Sequence, residues 1–396
     1  MARRLLIPRH ARRLLWGMRV CHPTSNTPRP SFQPRFCPNR QCPFHLPKGR
    51  TWHWVRDGWF TRPSDQRRFQ RFLCRHCGRR FSTRTYSTTY WLQRRRLLAE
   101  VAQHLSNGTA LRQAGRILKV PHATVALHQA RLGRHCLLFQ SQLLADSQIK
   151  EPVVVDGFET FEYSQYFPFH VNLAVGQDSW FLYAFTDSPL RRKGSMTPVQ
   201  KQVRQEIERR LGRPDPKAIE TGMAELLELL VDRSPGPLKL HSDEHPAYLR
   251  SIRRVLRARP GSQIDHRRTP SKEARTHANP LFAVNLTDLL IRHSHANHRR
   301  ETIAFSKRRM GAIERLSFFM VWRNCIKRRR EKGGPETTAM KVGLLDRPLT
   351  WSDILKRRLF PIQHSLPRAW QTYYEKRVFT PILGDQQRVH DLKYAF

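Results

Sequence analysis

Val153-Val154-Val155-Asp156 and Leu238-Lys239-Leu240-His241-Ser242-Asp243 are the two stretches that decide how this 396-residue chain folds. Each is a strand-length apolar run that ends on a carboxylate. Residues 169–175 and 180–185 read as two further strands, with turn chemistry between them from Gly176 and Asp178-Ser179. Residues 201–232 are helical, interrupted at Pro214-Asp215-Pro216. Helices follow at 246–256, 280–294 and 310–328. This pattern predicts an α+β fold whose main domain, residues 150–330, is a mixed sheet flanked by helices.

Only 31 residues of the chain are acidic, so where they fall is informative. Asp156 and Asp243 close neighbouring strands, and two carboxylates at adjacent strand ends make a site for a hard divalent cation. Magnesium held in that way activates a nucleophile and stabilises a leaving oxygen at a phosphodiester. A third ligand is expected from the helix at 280–294. There Asn285, Asp288 and Arg292 fall at i, i+3 and i+7 on one polar face, with Leu286, Leu289 and Leu290 expected on the buried side.

Ahead of this domain, residues 37–90 are short, aromatic and basic. They carry the pairs Cys37-x4-Cys42 and Cys74-x2-Cys77. Thiolates two to four residues apart reach one zinc ion from a tight turn, and Gly78 suits such a knuckle. The aromatic stretch between the pairs reads as a small β-hairpin stapled by structural zinc, which supplies much of its folding energy. Because the first pair is loosely spaced, Cys21 or His45 stands as an alternative ligand. Residues 91–135 then read as a helix-turn-helix: a stripe from Leu97 to Leu105, a second helix capped by Thr109, a turn at Lys119-Val120-Pro121, and a third helix. The outward face of the third helix is expected to offer His122, Thr124, His128, Gln129 and Arg131 to phosphates or base edges.

Lys and Arg outnumber Asp and Glu by 72 to 31, a net charge of +41. Nucleic acid is the partner that fits such an excess spread over the whole length. No apolar run is long enough to span a bilayer, so no membrane partner is expected. Seven cysteines, an odd number, argue against a secreted disulfide framework. Residues 1–36 read as a basic, disordered arm, with Met18 as an alternative start. Basic clusters recur at His298-Arg299-Arg300, Lys307-Arg308-Arg309 and 327–330, and read as DNA contacts. Phe318, Phe319 and Trp322 between them read as core. Residues 331–396 read as a loop-rich basic tail.

Taken together, these segments resemble bacterial insertion-sequence DDE transposases of the insertion-sequence-one type. The matching residues are Arg71-Phe72-Leu73-Cys74-Arg75-His76-Cys77 with the helices that follow, Val155-Asp156, and His241-Ser242-Asp243. The last block runs from Leu289-Leu290-Ile291-Arg292 through Arg300-Glu301-Thr302-Ile303-Ala304-Phe305-Ser306-Lys307. The resemblance implies a ribonuclease H-like catalytic domain behind the zinc ribbon and helix-turn-helix, with Mg2+ or Mn2+ at Asp156 and Asp243. It also implies action on double-stranded DNA at element ends and a target site, by a homo-oligomer in the cytoplasm, associated with the nucleoid. The third acid departs from the family pattern: Asn285 stands where the family has Glu. Asp288 one turn on is an alternative, as are Glu159 and Glu162, whereas Glu301 reads as structural. A catalytically impaired DNA-binding remnant or regulator is therefore the alternative to an active transposase.

Overall fold

The computed structural model describes residues 32–270, 272–299 and 301–380. The arm expected over 1–36 lies almost wholly outside them, as do Cys21 and Arg300. The first sheet is antiparallel and three-stranded: β1 (Trp54–Thr61), β2 (Arg68–Cys74) and β3 (Arg80–Ser82). The expected hairpin is β1 and β2, and β3 adds a third strand through Phe72 opposite Phe81. Phe72 and Phe81 are buried with Cys37, Cys42 and Cys74 in a small core of their own.

Three helices follow, α1 (Leu97–Ser106), α2 (Leu111–Ile117) and α3 (His122–Leu143). The expected cap at Thr109 is not formed. Instead α2 starts after Ala110, whose N–H donates to the Gln113 side chain at 3.0 Å. Gly115 allows the tight turn into α3, because a Cβ there would sit 2.8 Å from the Val120 carbonyl oxygen.

The main sheet has five strands in the order β6-β5-β4-β7-β8. They are β4 (Val153–Phe161), β5 (Pro168–Gly176), β6 (Leu182–Pro189), β7 (Leu238–Ser242) and β8 (Ile264–Arg268). β4, β5 and β6 form an antiparallel meander, whereas β7 pairs in parallel with β4, and β8 with β7. The helical insertion is split as its prolines require, into α4 (Pro198–Leu211) and α5 (Ala218–Val231). α6 (Pro246–Ala258) makes the crossover that a parallel β7–β8 pair needs. β8 was not expected from the sequence. Its Asp265-His266-Arg267-Arg268 run has no apolar period, as suits an edge strand bonded on one side only.

α7 (Phe282–Ser294) packs on β4 and β5, and α8 (Arg309–Cys325) packs along α3. Gly133 lets these two helices close up, since a Cβ there would lie 2.9 Å from the Glu314 Cα. α3 therefore runs from the helix-turn-helix stretch straight into the core of the main domain, with no linker at residue 135. From Phe36 to residue 380 the described chain forms one unit.

The region expected to be a loose tail is built into that unit as far as residue 380. Its short helices α9 (Thr338–Lys341), α10 (Trp351–Ile354) and α11 (Arg368–Tyr374) bury Trp351, Ile354, Trp370 and Tyr373 in the main core. Among the described residues no helix is long and apolar enough to cross a membrane.

Candidate functional site: strand-end carboxylates, a four-cysteine cluster and a basic surface

Parallel pairing between β4 and β7 sets Val153 against Leu240 and Val154 against His241. Carried two residues further, that register places Asp156 level with Asp243. Asp156 is not the last residue of its strand, as expected, because β4 continues to Phe161 along β5. It sits where β7 leaves the sheet, at the carboxyl end of the parallel pair, where open α/β sheets bind ligands.

Both carboxylates are positioned by α6, which starts three residues past Asp243. The Tyr248 hydroxyl donates to Asp156 Oδ1 at 3.2 Å, and the His245 N–H donates to Asp243 Oδ1 at 2.9 Å. Burial pushes the Asp156 carboxyl up to about 6, and the negative charges of Asp243 and Asp288 push the same way. Tyr248 had no motif of its own in the sequence, although its place in the first turn after a strand-end Asp was a usable signal.

α7 supplies the third acidic group. Its fully buried residues are Ala283, Val284, Thr287, Ile291 and Ser294; of the leucines expected inside, Leu286 and Leu290 are half-buried against the core and Leu289 is 63% exposed. The helix is rotated so that its small residues seat on β4 and β5. Asn285 and Asp288 are both half-buried, and the charge of Asp288 is the one that reaches Asp156. Arg292 Nε donates to both Asp288 oxygens, at 3.1 and 3.2 Å, and its guanidinium lies over Phe158, 5.0 Å from the ring centre.

Glu162 is buried elsewhere, accepting from the Arg309 N–H at 2.7 Å and from the Thr380 hydroxyl. Glu159 is exposed and, three residues along β4, points to the opposite face of the sheet from Asp156, level with His170 of β5. His170 was missed by sequence reasoning. Its ring crosses Gly157, where a Cβ would meet His170 Cε1 at 2.5 Å, and burial lowers its pKa to about 4.

The four cysteines converge. The Sγ atoms of Cys37, Cys42, Cys74 and Cys77 all lie within 4.8 Å of one another and can hold a metal ion such as zinc. Cys37 Sγ is 3.6 Å from Cys77 Sγ, and Cys42 Sγ is 4.0 Å from Cys74 Sγ. Zinc–thiolate bonds of about 2.3 Å in a tetrahedron set sulfurs about 3.8 Å apart, whereas a disulfide needs about 2.05 Å. Gly78 takes φ +68 in the knuckle turn. Burial pushes the Cys37 thiol up. Burial also opposes ionisation of Cys74, but the Cys77 and His76 N–H groups and the Trp52 indole, 3.2 Å from Sγ, hold it down to about 7. His45 lies outside this cluster, whose four ligand atoms are all cysteine sulfurs, and its Nδ1–H donates to the Cys37 carbonyl at 2.8 Å.

Several residues expected on a DNA-facing surface lie inside the protein. Arg131 is 7% exposed and donates to the carbonyls of Thr88 and Tyr90 at 3.0 and 2.9 Å. His128 donates back to the Thr124 carbonyl at 2.8 Å, and Gln129 donates to Glu314 at 3.2 Å. Arg309 is buried against Asp187 at 3.3 Å and donates to the Phe379 carbonyl at 2.7 Å. The cause is common to all four: the long α3 and the start of α8 are covered by neighbouring chain. Exposed instead are His122, Arg299, Lys307 and Arg308, with Thr124 half-buried. Arg112, Arg116 and Lys119 join His122 around a shallow groove of about 450 Å³ at the α2–α3 turn.

The chain matches no protein-family model and no curated protein.

Proposed function

We propose that this chain is a DNA-processing phosphotransferase of the DDE transposase kind, which binds double-stranded element ends and catalyses metal-dependent strand cleavage and strand transfer. The observation that carries the reading is that Asp156 and Asp243 stand level where the parallel pairing of β4 and β7 ends, with Asp288 close enough to raise Asp156 further. A cluster of this kind strains against its own charge, and a divalent cation relieves that strain. Such a cation would supply polarisation of a phosphodiester oxygen and a lowered pKa for an attacking water or DNA 3′-hydroxyl. Asp156, Asp243 and Asp288 are the residues that would hold it. Tyr248 fixes the Asp156 carboxylate, and Arg292 fixes Asp288.

The sheet supports the same reading, being mixed, with its helical insertion between the third and fourth strands, as the ribonuclease H-like layout requires. Structural zinc at the four cysteines fits too, because four thiolates leave no open coordination position. The net charge of +41 supports a nucleic-acid partner.

One observation favours a second reading, a DNA-binding protein that does not cut. Both oxygens of Asp288 are taken up by Arg292, and Asn285 stands where the resemblance expects Glu. Among the described residues, no trio of His, Cys, Asp or Glu other than the cysteines brings its ligand atoms within 4.8 Å. The deciding experiment is cleavage and joining of the element's own terminal DNA with magnesium or manganese. It compares wild type with Asp156→Asn, Asp243→Asn, Asp288→Asn and Asn285→Ala. Cleavage by wild type that Asp156→Asn and Asp243→Asn abolish is the expected result. Binding of the ends with no cleavage in either metal would remove the catalytic reading and leave the second.

A further inference from the structure

Three arginines converge on one phenylalanine where the cysteine-bearing sheet meets the segment leading into α1. The guanidinium carbons of Arg62, Arg84 and Arg95 lie 5.3, 5.4 and 5.3 Å from the centre of the Phe69 ring. The three arginines come from the end of β1, the turn after β3 and the approach to α1, and the Phe69 ring from β2. A ring offers two faces, and three cations around it are within 11 Å of one another, so they repel. Each of the three has its pKa lowered, first by burial and then by neighbouring arginines, with Arg67 among them.

Counter-charge is scarce. Asp65 pairs with Arg62, with Nε to Oδ1 at 2.5 Å, and is also 3.7 Å from Arg67. Among the described residues Arg84 and Arg95 have no carboxylate within ion-pair distance. Their donors are also unused. Arg62 Nη1, Arg84 Nε and Nη2, and Arg95 Nε are buried without a hydrogen-bond partner, and Arg62 as a whole is only 8% exposed. Buried donors of this kind are costly unless something accepts from them. Folding alone gives no reason to gather these groups, since apolar side chains around Phe69 would pack without the repulsion.

An oxyanion answers both deficits, and guanidinium forks match phosphate oxygens in pairs. Arg84 and Arg95 are half-buried, so the group is open to an anion from solvent. Close by, Arg67 and Arg68 are exposed, and Arg68 lies 5.4 Å over the ring of Trp59, itself exposed. A basic strip flanked by an exposed aromatic suits a sugar-phosphate backbone better than a single free ion.

We propose that Arg62, Arg84 and Arg95, gathered around Phe69, form a phosphate clamp that grips the backbone of a DNA strand. The clamp rests on the reading of the chain as a DNA-binding protein, and the test separates the two.

The full-length, metal-retaining protein is titrated with a fluorescent DNA duplex over a range of salt concentrations, and Arg84→Gln/Arg95→Gln is compared with wild type. The expected result is binding weakened about tenfold or more, irrespective of DNA sequence, with the slope of log K against log salt reduced in magnitude by about 1 to 2. Thermal unfolding in chloride is expected to show no loss of Tm in the variant, because the removed charges repel each other. Wild type that binds DNA with a slope and affinity the variant shares overturns the clamp and leaves DNA binding standing. Should the variant fail to fold, Arg84→Lys/Arg95→Lys takes its place; lost bidentate grip with retained slope supports the clamp, and unchanged affinity overturns it. Should wild type bind no DNA, the functional reading fails and inorganic phosphate decides. A Tm gain in phosphate over chloride at equal ionic strength, lost in the variant, assigns the site to free phosphate and overturns the DNA occupant. No gain overturns the site itself.

Discussion

Asp156→Asn should make the magnesium-free protein more stable, and do so in a pH-dependent way. The Asp156 carboxyl is pushed up to about 6, against an ordinary 3.8, by burial and by Asp243 and Asp288. The folded state thus holds this proton more tightly than the unfolded chain does. Its contribution favours folding fully below pH ~3.8 and is lost as pH rises through about 6. Above that, a charged Asp156 costs the shift times 1.36 kcal/mol per unit, or about 3 kcal/mol at pH 8. At pH 5 the folded carboxyl is mostly protonated, and the cost is about half as large. Asn has the same shape, can still accept from Tyr248, and has no charge to bury.

Urea unfolding in chelator-free buffer should therefore show Asp156→Asn more stable by about 3 kcal/mol at pH 8 and about half that at pH 5. Adding magnesium should stabilise wild type at pH 8 and leave Asp156→Asn unchanged, since only a charged site gains from the cation. A variant no more stable at pH 8 than wild type, or one with the same advantage at both pH values, would refute the argument that this carboxylate is held in unfavourable surroundings.

Two further outcomes follow from packing. Gly133→Ala puts a Cβ 2.9 Å from the Glu314 Cα, so α3 and α8 must part, and the urea midpoint should fall by the equivalent of about 1–3 kcal/mol; an unchanged midpoint would show that the crossing yields freely. Arg131→Met removes the donors to the Thr88 and Tyr90 carbonyls, so Tm should drop by the equivalent of about 1–3 kcal/mol while the salt slope of the proposed DNA binding should be unchanged. A reduced slope with normal stability would instead place Arg131 on the DNA.

The strands, the two acids and the cysteine ligands were legible because each is a local signal. Val153-Val154-Val155 and Leu238-Lys239-Leu240 announce strands by side-chain type, and the Pro214-Asp215-Pro216 break announces two helices where one periodic run would suggest a single one. Cysteine spacing names a metal site because a tight turn holds its ligands. β8 was illegible for the converse reason. An edge strand draws its hydrogen bonds from one neighbour and leaves its side chains to solvent, so Asp265-His266-Arg267-Arg268 carries no apolar alternation.

Exposure was where sequence reasoning went wrong. A helical wheel for α3 shows His128, Gln129 and Arg131 as polar and so as outward. Yet α3 is 22 residues long and enclosed by α8, by the Thr88–Tyr90 segment and by the chain beyond residue 331. On α7, Leu289 is turned out because the helix seats Ala283, Val284 and Thr287 on the sheet, while Trp351 and Trp370 are drawn into the core from the region past residue 331. Local sequence, then, determined which segments are strands and helices, which apolar runs lead into Asp156 and Asp243 and which thiols share a turn, because backbone preference and short ligand spacings act within a few residues. Which polar groups face solvent, whether Asp288 of α7 lies near Asp156, and how three arginines meet at Phe69 depend on segments tens to hundreds of residues apart. Only the tertiary structure decided these, because burial is a property of what packs over a residue and not of the residue's own periodicity.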